Sequence, residues 1–529
     1  MSLRLMILGL DGATFDVINR LKDAHLPNLK KVIETGVYGD LESTFPPVTG
    51  PSWFSCATGK NPGKTGIFQF FNRTTTDSFE INTFSSSKFR QIVSFWDYLD
   101  QAGIKVGIWN YPKLYPPYKI KGFMTSGFPA APQGEFTYPK ALKNELLTIC
   151  PNYRIHVPIT KPRYSNNPAL LADDILELLD QNEKTLTYLL EKDVEVLMGV
   201  ISASDFAQHA MWKYLDPEHP LYDEKEASVG YPLFIRIWQR IDKIVGLVLS
   251  RVEREGADLI IVSDHGFGTH TQSFYTNLWL ESEGYLKWRT KGRQGLRLLA
   301  ARSMVKLSKS SKFIFKLIHK KGGIKDRPFL ERVDMRATKA FAGYHSTNSG
   351  NIYINNSSES PLKNHQEYES TRNEIIEKLK HYFGTIGLPV VVHLPGDIYS
   401  GPFTDLAPDI MFAINDFECS AHPGFGPAVY QDKPHKPNHN GSHRMHGIII
   451  VAGPNIKKAK RIESARIYDV APTILHMVGL PVPKDMDGVV LQEIFNEDSR
   501  YANREVTYLD SYKKVVQSRV RKTKQKRRL

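Results

Sequence analysis

The stretch ADLIIVSDHGFG, residues 257–268, is a run of aliphatic residues that ends in an aspartate and a histidine. This composition predicts a buried β-strand with Asp264 and His265 at its carboxyl end. Adjacent side chains of a strand point in opposite directions, so these two can converge only where the chain turns. Gly266 and Gly268 allow such a turn. The stretch therefore predicts a strand that delivers two metal-binding side chains to one edge of a sheet.

Two further stretches have the same form. MILGLDGA, residues 6–13, ends a short aliphatic run at Asp11, and VEVLMGVIS, residues 194–202, is followed closely by Asp205. The carboxyl ends of parallel strands lie at the same edge of a sheet. We therefore expect Asp11, Asp205 and Asp264 to meet at that edge.

Helical patterns separate strand-like runs through most of the chain. The helical patterns cover Phe89–Gly103, Leu170–Lys192, Leu233–Val252, Glu369–Phe383 and Tyr468–Val478. The strand-like runs among them include IKVGIWN, PVVVHL, PDIMFAI and GIIIVAG. This alternation predicts an α/β fold, with a mostly parallel sheet and helices on both faces.

The net charge of +13 is unevenly distributed. Residues 285–327 carry +13 and the tail from Ser511 carries +9, which leaves −9 for the rest of the chain. The body is therefore acidic, and the overall charge does not indicate a protein that binds nucleic acid over its whole surface.

Several features bear on the cellular compartment. Cys56, Cys150 and Cys419 have no paired spacing, which is typical of reduced thiols. The apolar N-terminal run is broken by Asp11 and lacks a signal-peptide cleavage pattern. No apolar stretch approaches the roughly 18 residues that span a bilayer. The sequence thus predicts a soluble, cytoplasmic protein.

We divide the chain into an α/β core formed by residues 1–281 and 336–502, a basic helical insertion at 282–335 and a basic, partly disordered tail at 503–529. The insertion, a cap or surface arm, interleaves basic residues with Leu and Phe. Because such helices bind anionic lipid, peripheral membrane contact through 285–327 and the tail is one hypothesis, and a solvated helical face is the alternative. Nothing in either segment supplies base-reading geometry, so we expect no specific nucleic-acid binding.

The candidate ligands combine aspartate with histidine, which suits zinc or manganese better than magnesium or calcium. Asp205 and His209, at i and i+4 in SASDFAQH, would share one face of a helix. His443, in NGSHRMHG, is a further candidate. Each group alone is more often a surface or core feature, but together they favour a site for two divalent cations.

Thr49, in PPVTGPSW, stands just before a predicted helical turn. Backbone N–H groups and the helix dipole favour a phosphate at such a position. A hydroxyl there can act as a nucleophile when a metal ion activates it. A structural N-cap is the alternative, and spacing alone leaves both open.

The segment PPVTGPSWFSCATGKNPGKTGIFQF, residues 46–70, resembles the nucleophile motif of the type I phosphodiesterase / nucleotide pyrophosphatase family, in the alkaline phosphatase superfamily. In that family a threonine opens a helix and a T-G-x-x-P-x-x-x-G-I stretch follows. The matching positions here are Thr58, Gly59, Pro62, Gly66 and Ile67. The resemblance continues through the Asp11 strand end, SASDFAQH, SDHGFG, GSH and IYDVAPTILHMVGLPVPKDMDG, and leaves out the basic insertion and the tail.

The resemblance implies an alkaline-phosphatase-like, three-layer α/β/α fold and two divalent metal ions, with zinc expected and manganese the alternative. One ion would be held by Asp205, His209 and His443, and the other by Asp11, Asp264 and His265. Thr49 would face the two ions as a further metal-site residue, attack phosphorus and form a covalent phospho-threonine. Ser52 stands close to where many members carry an asparagine that contacts a phosphoryl oxygen, so it is a candidate substrate contact. Thr65 replaces a histidine common in the motif, which is not among these ligands.

These observations predict a metal-dependent hydrolase of phosphodiester or pyrophosphate bonds in small phosphorylated substrates, such as nucleotides or nucleotide-sugars. A phosphomonoesterase or phosphomutase of the same superfamily is the alternative, although such monoesterases generally use serine. A sulfatase is disfavoured because the residues around Thr49 lack the C/S-x-P-x-R pattern. A non-catalytic binding protein with this fold is a second alternative, disfavoured because all seven candidate positions are intact.

Overall fold

The structure is a computed structural model that describes residues 3–76, 78–79, 81–164, 167–289, 332–343, 348–424, 426–435 and 439–510. Most of the basic insertion, and the tail beyond residue 510, lie outside these residues. Their predicted character, the segment boundaries, the cytoplasmic location and the membrane contact therefore stay predictions. Among the described residues, no helix combines the length and the apolar character needed to cross a membrane.

The strands are numbered in chain order. They are β1 (Leu5–Leu10), β2 (Val37–Glu42), β3 (Phe71–Arg73), β4 (Ile81–Thr83), β5 (Val106–Tyr111), β6 (Gly122–Ser126), β7 (Thr137–Tyr138), β8 (Val196–Ile201), β9 (Asp258–Val262), β10 (Gly266–Thr269), β11 (Gln272–Tyr275), β12 (Ala340–Ala342), β13 (Gly350–Ile354), β14 (Val390–His393), β15 (Ile410–Ile414), β16 (Cys419–His422), β17 (Tyr430–Gln431), β18 (Gly441–Arg444), β19 (His446–Ala452), β20 (Lys460–Arg466), β21 (Val482–Pro483) and β22 (Tyr508–Leu509).

The helices are numbered in the same way. They are α1 (Phe15–His25), α2 (Pro27–Thr35), α3 (Thr49–Thr58), α4 (Pro62–Thr65), α5 (Ser86–Ile92), α6 (Phe95–Ala102), α7 (Ala141–Ile149), α8 (Pro168–Leu190), α9 (Ala203–Met211), α10 (Glu224–Glu255), α11 (Thr276–Ser282), α12 (His365–Thr385), α13 (Pro395–Ile398) and α14 (Val470–Val478).

The largest sheet has nine strands in the order β20–β2–β19–β9–β1–β8–β5–β6–β7. Its central strand, β1, is parallel to β8 on one side and to β9 on the other. Strands β19 and β7 run against the common direction of this sheet. The predicted α/β fold with a mostly parallel sheet is confirmed.

The sheet is covered on both faces. Leu5 and Ile7 of β1 pack into a hydrophobic cluster with residues of α3, α6 and α14. Met6, Leu8 and Leu10 pack into another cluster, with α1, α2, α8 and α10. Because successive side chains of a strand point to opposite faces, these clusters form the two interfaces of an α/β/α arrangement.

A second, mixed sheet comes from the later part of the chain, in the order β12–β13–β15–β16–β11–β17, with β14 also paired to β15. The runs PVVVHL and PDIMFAI thus pair as antiparallel strands outside the large sheet. Trp288 and Val333, at the described ends of the predicted insertion, are buried in the core of this second sheet. At those ends the chain is therefore part of a packed core, and the prediction of a cap or surface arm over 282–335 stays a prediction.

The single helix predicted over Phe89–Gly103 is two helices. Val93, between α5 and α6, has a φ of 67°, in the left-handed region. Ser94 and Asp97 then form a capping box that begins α6. The prediction missed this capping signal because the apolar spacing continues across the break.

Candidate active site

Three of the predicted ligands reach one edge of the large sheet from three neighbouring strands. Asp11 directly follows β1, and Asp264 lies just beyond the end of β9. Asp205 lies in the first turn of α9, which follows β8. Because β1 is parallel to both neighbours, these strand ends lie side by side. The structure therefore brings the three aspartates to the edge that the sequence predicted.

His443 reaches the same edge from the opposite direction. Strand β19 is antiparallel to β9, so its amino end is the end that lies at this edge. Strand β18 comes just before β19 and pairs with β10, which sets His443 opposite Phe267.

Asp205, His209 and His443 form a compact group, here called the imidazole triad. The Nε2 atom of His209 lies 3.3 Å from Asp205 Oδ1, and that of His443 lies 3.4 Å from the same oxygen. The two Nε2 atoms are 2.9 Å apart. The His209 Nδ1 is 2.9 Å from the Gly441 carbonyl, and the His443 Nδ1 is 2.8 Å from the Pro47 carbonyl. A carbonyl only accepts hydrogen bonds, so each Nδ1 carries a proton, and each Nε2 can offer its lone pair once a cation is bound. Two imidazole lone pairs and a carboxylate oxygen thus converge, which suits a cation.

Asp11, Asp264 and His265 form the second group, here called the carboxylate triad. His265 Nε2 lies 3.2 Å from Asp264 Oδ2 and 3.7 Å from Asp11 Oδ1, and all three side chains are buried. The Gly12 N–H donates to Asp264 Oδ1 at 3.1 Å, from a backbone with a φ of 67° that favours glycine. The triads adjoin each other, because the His265 and His443 rings stack with centroids 3.6 Å apart.

Each aspartate of the two triads has one carboxylate oxygen without a hydrogen-bond donor among the described residues. These oxygens are Asp11 Oδ1, Asp205 Oδ1 and Asp264 Oδ2. They are the same oxygens that face the imidazole Nε2 atoms. A buried carboxylate oxygen without a donor is costly unless a cation balances it. Within each triad the ligand atoms lie within 4.8 Å of one another, so the donor set fits one divalent cation per triad.

The electrostatics of the two triads differ. Burial raises the pKa of Asp264 to about 8, and burial together with the charges of Asp264 and Asp205 raises the pKa of Asp11 well above its usual value. Burial acts in the same direction on Asp205, but the adjacent His209 and His443 hold its pKa well below the usual value. Burial lowers the pKa of His265 well below its usual value, and His443 adds to this effect. The His265 ring is therefore neutral, which is the form that can bind a metal.

Thr49 is the first residue of α3, and its Oγ1 lies 3.4 Å from His265 Nε2. Val48 occupies the N-cap position, and no side chain caps the helix. The alternative of a structural N-cap threonine is therefore not observed. Thr49 is half-buried, whereas the rest of α3 is buried, so its hydroxyl lies where the helix meets the edge of the site.

Trp53 connects the helix that carries Thr49 to the strand that carries Asp11. Its indole N–H donates to Asp11 Oδ2 at 3.2 Å. Its ring lies against Gly9 of β1, where a Cβ atom would be only 2.4 Å from the ring, so this close approach requires glycine. The Tyr111 hydroxyl donates to the Trp53 carbonyl at 2.6 Å. These contacts fix α3 relative to Asp11.

The predicted substrate contact Ser52 lies beneath the site. Its hydroxyl is fully buried, 2.9 Å from the hydroxyls of both Ser43 and Thr44. The Ser43 hydroxyl in turn donates to the Asp264 carbonyl. Contact between Ser52 and substrate stays a prediction, and this burial gives it no support.

Asn440 is a residue of the site that sequence reasoning missed. Its backbone N–H donates to the His209 carbonyl at 2.8 Å, and its side-chain amide donates to the Ala210 carbonyl at 2.8 Å. Its Oδ1 accepts a hydrogen bond from the Lys213 N–H at 2.9 Å. Asn440 thus provides hydrogen-bond donors for the carbonyl groups at the end of α9, where His209 lies. The available signal was an Asn-Gly pair just before His443.

The sequence profile of the family described as type I phosphodiesterase / nucleotide pyrophosphatase matches residues 5–448. No curated protein sequence matches the chain.

Solved structures of murine and human ectonucleotide pyrophosphatase / phosphodiesterase 5 share the fold. The murine protein matches with a TM-score of 0.51 at 12% identity, over 93% of this chain and 100% of that chain. The human protein has a TM-score of 0.50 at 12% identity, over 93% and 100%. An inactive threonine-to-alanine variant of the murine protein in complex with AMP matches with a TM-score of 0.51 at 12% identity, over 94% and 100%.

These structural matches, at so low an identity, concern the fold alone. The family profile adds the sequence evidence, because its match spans most of the chain and includes all seven candidate residues. The chain therefore belongs to the type I phosphodiesterase / nucleotide pyrophosphatase family, in the alkaline phosphatase superfamily, and is a phosphoric ester hydrolase.

Proposed function

We propose that the protein cleaves phosphodiester or pyrophosphate bonds of small phosphorylated substrates through a phospho-threonine at Thr49. The observation that carries the proposal is the meeting of the two triads beside the Thr49 hydroxyl. The carboxylate oxygens without a donor support cation binding, and a hydroxyl at the same place supports catalysis over binding alone.

The imidazole triad would hold one divalent cation and the carboxylate triad the other. When bound, the two cations would activate the Thr49 hydroxyl and balance negative charge on the phosphoryl oxygens. Mixed nitrogen and oxygen donors favour zinc, with manganese as the alternative.

Thr49 Oγ1 attacks the phosphorus of the substrate. A bond forms between Oγ1 and phosphorus, the bond from phosphorus to the leaving oxygen breaks, and the hydroxyl proton passes to solvent. Water then attacks the phosphorus of the phospho-threonine and the bond from phosphorus to Oγ1 breaks. Oγ1 takes up a proton released by the water, and the phosphorylated product leaves. The N–H groups in the first turn of α3 favour the anionic phosphoryl group in both steps.

Nucleotides and nucleotide-sugars are the substrates we propose. The nucleotide pyrophosphatases of the family support this class, as does the AMP bound to the inactive murine variant.

The function is tested by comparing hydrolysis of bis(4-nitrophenyl) phosphate, a diester, with that of 4-nitrophenyl phosphate, a monoester. We expect the diester to react faster, a chelator to abolish the reaction, and zinc or manganese to restore it. Full activity in excess chelator would contradict the role of the cations. Faster monoester hydrolysis would assign the protein to the phosphomonoesterases.

The Thr49→Ala variant tests the nucleophile. We expect kcat to fall by about 10⁴-fold or more, because the covalent step is lost, while the circular dichroism spectrum and metal content stay unchanged. Thr58→Ala, at the other end of the same helix, is the control and should keep most of the activity. A phosphoryl group on the peptide containing Thr49 should be detectable in acid-quenched wild-type protein by mass spectrometry. Retained turnover in Thr49→Ala would exclude the covalent step.

A further inference from the structure

Strand β5 brings a lysine to the edge where the triads lie. It is parallel to β8, so the carboxyl ends of the two strands lie side by side. Lys113 follows the end of β5 at Tyr111 by two residues. The geometry that brings Asp205 to this edge therefore brings Lys113 there as well.

The Lys113 ammonium group and the first turn of the helix that carries Thr49 lie against the same two phenyl rings. Its Nζ is 5.0 Å from the centroid of the Phe70 ring and 5.2 Å from that of the Phe84 ring. The same two rings lie against Gly50, since a Cβ atom on Gly50 would be 3.4 Å from Phe84 and 3.5 Å from Phe70. Gly50 directly follows Thr49 in α3. Two phenyl rings thus connect the lysine to the turn that begins with the nucleophile.

Lys113 is a buried cation with no ion pair to any carboxylate in the part of the chain that the structure describes. Its side chain has a hydroxyl acceptor, Thr83 Oγ1, at 2.8 Å. Lys60 is equally buried, but its Nζ lies 2.7 Å from an Asp485 carboxylate oxygen. Burial without such a partner lowers the pKa of Lys113 to about 8. A bound anion would supply the counter-charge that Lys60 has and Lys113 lacks.

We propose that Lys113 binds a second anionic phosphoryl group of the substrate, beside the phosphoryl group that Thr49 attacks. The inference rests on the proposed function and narrows it to substrates with a pyrophosphate bond. No side chain caps the amino end of the ten-residue helix α3, and an uncapped helix amino end also favours an anion. A simple diester has no second anionic group and would leave the Lys113 charge unbalanced.

The test compares wild type with Lys113→Gln on two probes. ADP-ribose contains a pyrophosphate bond, whereas bis(4-nitrophenyl) phosphate has no second anionic group. We expect kcat/KM to fall about tenfold or more for ADP-ribose, the size of a lost charge-assisted hydrogen bond, and to change less than about threefold for the diester. Equal losses on the two probes would overturn the proposal. Lys113→Met, which keeps the stem against the rings, replaces Lys113→Gln if that variant does not fold, with the same expected ratio.

Lys88→Gln is the matched control. Lys88 Nζ lies 4.5 Å from the centroid of the Phe403 ring, and burial lowers the pKa of Lys88, but the Phe403 ring lies against Gly66 of a different turn. We expect Lys88→Gln to leave the ratio of kcat/KM for ADP-ribose to kcat/KM for the diester unchanged. Lys113→Arg, which keeps the positive charge, should have a ratio close to that of wild type. The same shift in Lys88→Gln as in Lys113→Gln would also overturn the inference. If wild type with zinc or manganese hydrolyses neither probe, the proposed function itself fails.

Discussion

The two triads use the same residue types but differ in charge and in burial. The carboxylate triad has two aspartates and one histidine, and the side chains of Asp264 and His265 are 0% exposed. The imidazole triad has one aspartate and two histidines, and the Asp205 side chain is 13% exposed. One site is thus rich in negative charge and closed, and the other is nearer to neutral and close to solvent.

This difference decides how each triad behaves without a cation. Without a cation, the neighbouring His209 and His443 hold the pKa of Asp205 well below its usual value, although burial acts in the other direction. In the carboxylate triad burial raises the pKa values of Asp11 and Asp264, and one neutral imidazole does not offset this effect. Buried like charges are costly, so the carboxylate triad has more to gain from a cation. We infer that it binds its ion more tightly.

Asp264→Asn should have the largest effect. The amide keeps an oxygen for the Gly12 N–H but removes a negative charge from the carboxylate triad. We expect kcat/KM to fall on the order of 10³-fold or more with metal present, because charge stabilisation at the reacting phosphoryl group is lost. In chelator at neutral pH, the melting temperature should rise, because burial raises the pKa of Asp264 to about 8 and folding must protonate this carboxyl, a cost that the amide does not have. Steady-state kinetics and calorimetry check the two parts, and a lower melting temperature in chelator would contradict the electrostatic comparison.

His443→Ala should lower activity less than Asp264→Asn does, and added zinc should restore more of the activity. Asp205 and His209 remain as ligands, and the triad lies close to solvent. We expect activity to fall about 10²-fold at limiting metal, no less than the largest typical loss from removing a residue that only orients a ligand, and to recover largely in excess zinc. Titration of activity with zinc measures this in both variants. If excess zinc restored the activity of Asp264→Asn but not that of His443→Ala, the proposed order of the two metal affinities would be reversed.

The sequence predicted the positions of the aspartates because they depend on one rule of parallel sheets. Asp11, Asp205 and Asp264 follow strands that are neighbours in the sheet, so the ends alone place them together. His443 depends instead on β19 running antiparallel, and a run such as GIIIVAG carries no sign of its direction. The resemblance to a family motif, and not periodicity, found that residue.

Other features could not be predicted from the sequence, because they depend on contacts between distant segments. The second sheet could not be separated from the first, since β14 and β15 have the same aliphatic composition as strands of the large sheet. The burial of Ser52 depends on Ser43 and Thr44, which meet it only once α3 is docked. The bond from Trp53 to Asp11 likewise requires the helix to pack on β1.

Trp53→Phe should have the smallest effect of the three changes, and it should weaken metal binding at the carboxylate triad alone. The change keeps an aromatic ring against Gly9 but removes the N–H that donates to Asp11 Oδ2. Partners that orient a ligand typically affect metal affinity about 10- to 100-fold, and we expect about tenfold weaker binding at the carboxylate triad. The imidazole triad should be unaffected, because no hydrogen bond joins Trp53 to it in the described part of the chain. Two-site metal titration with a competing chelator measures both affinities.

Trp238→Phe is the control for this change. Trp238 is fully buried in α10, and its indole N–H has no hydrogen-bond partner among the described residues. The variant should therefore lose packing alone and leave both metal affinities unchanged. If Trp53→Phe weakened both triads equally, the indole would act by general packing of α3. A selective loss would instead show that the helix carrying the nucleophile and the more tightly binding triad are positioned by one shared hydrogen bond.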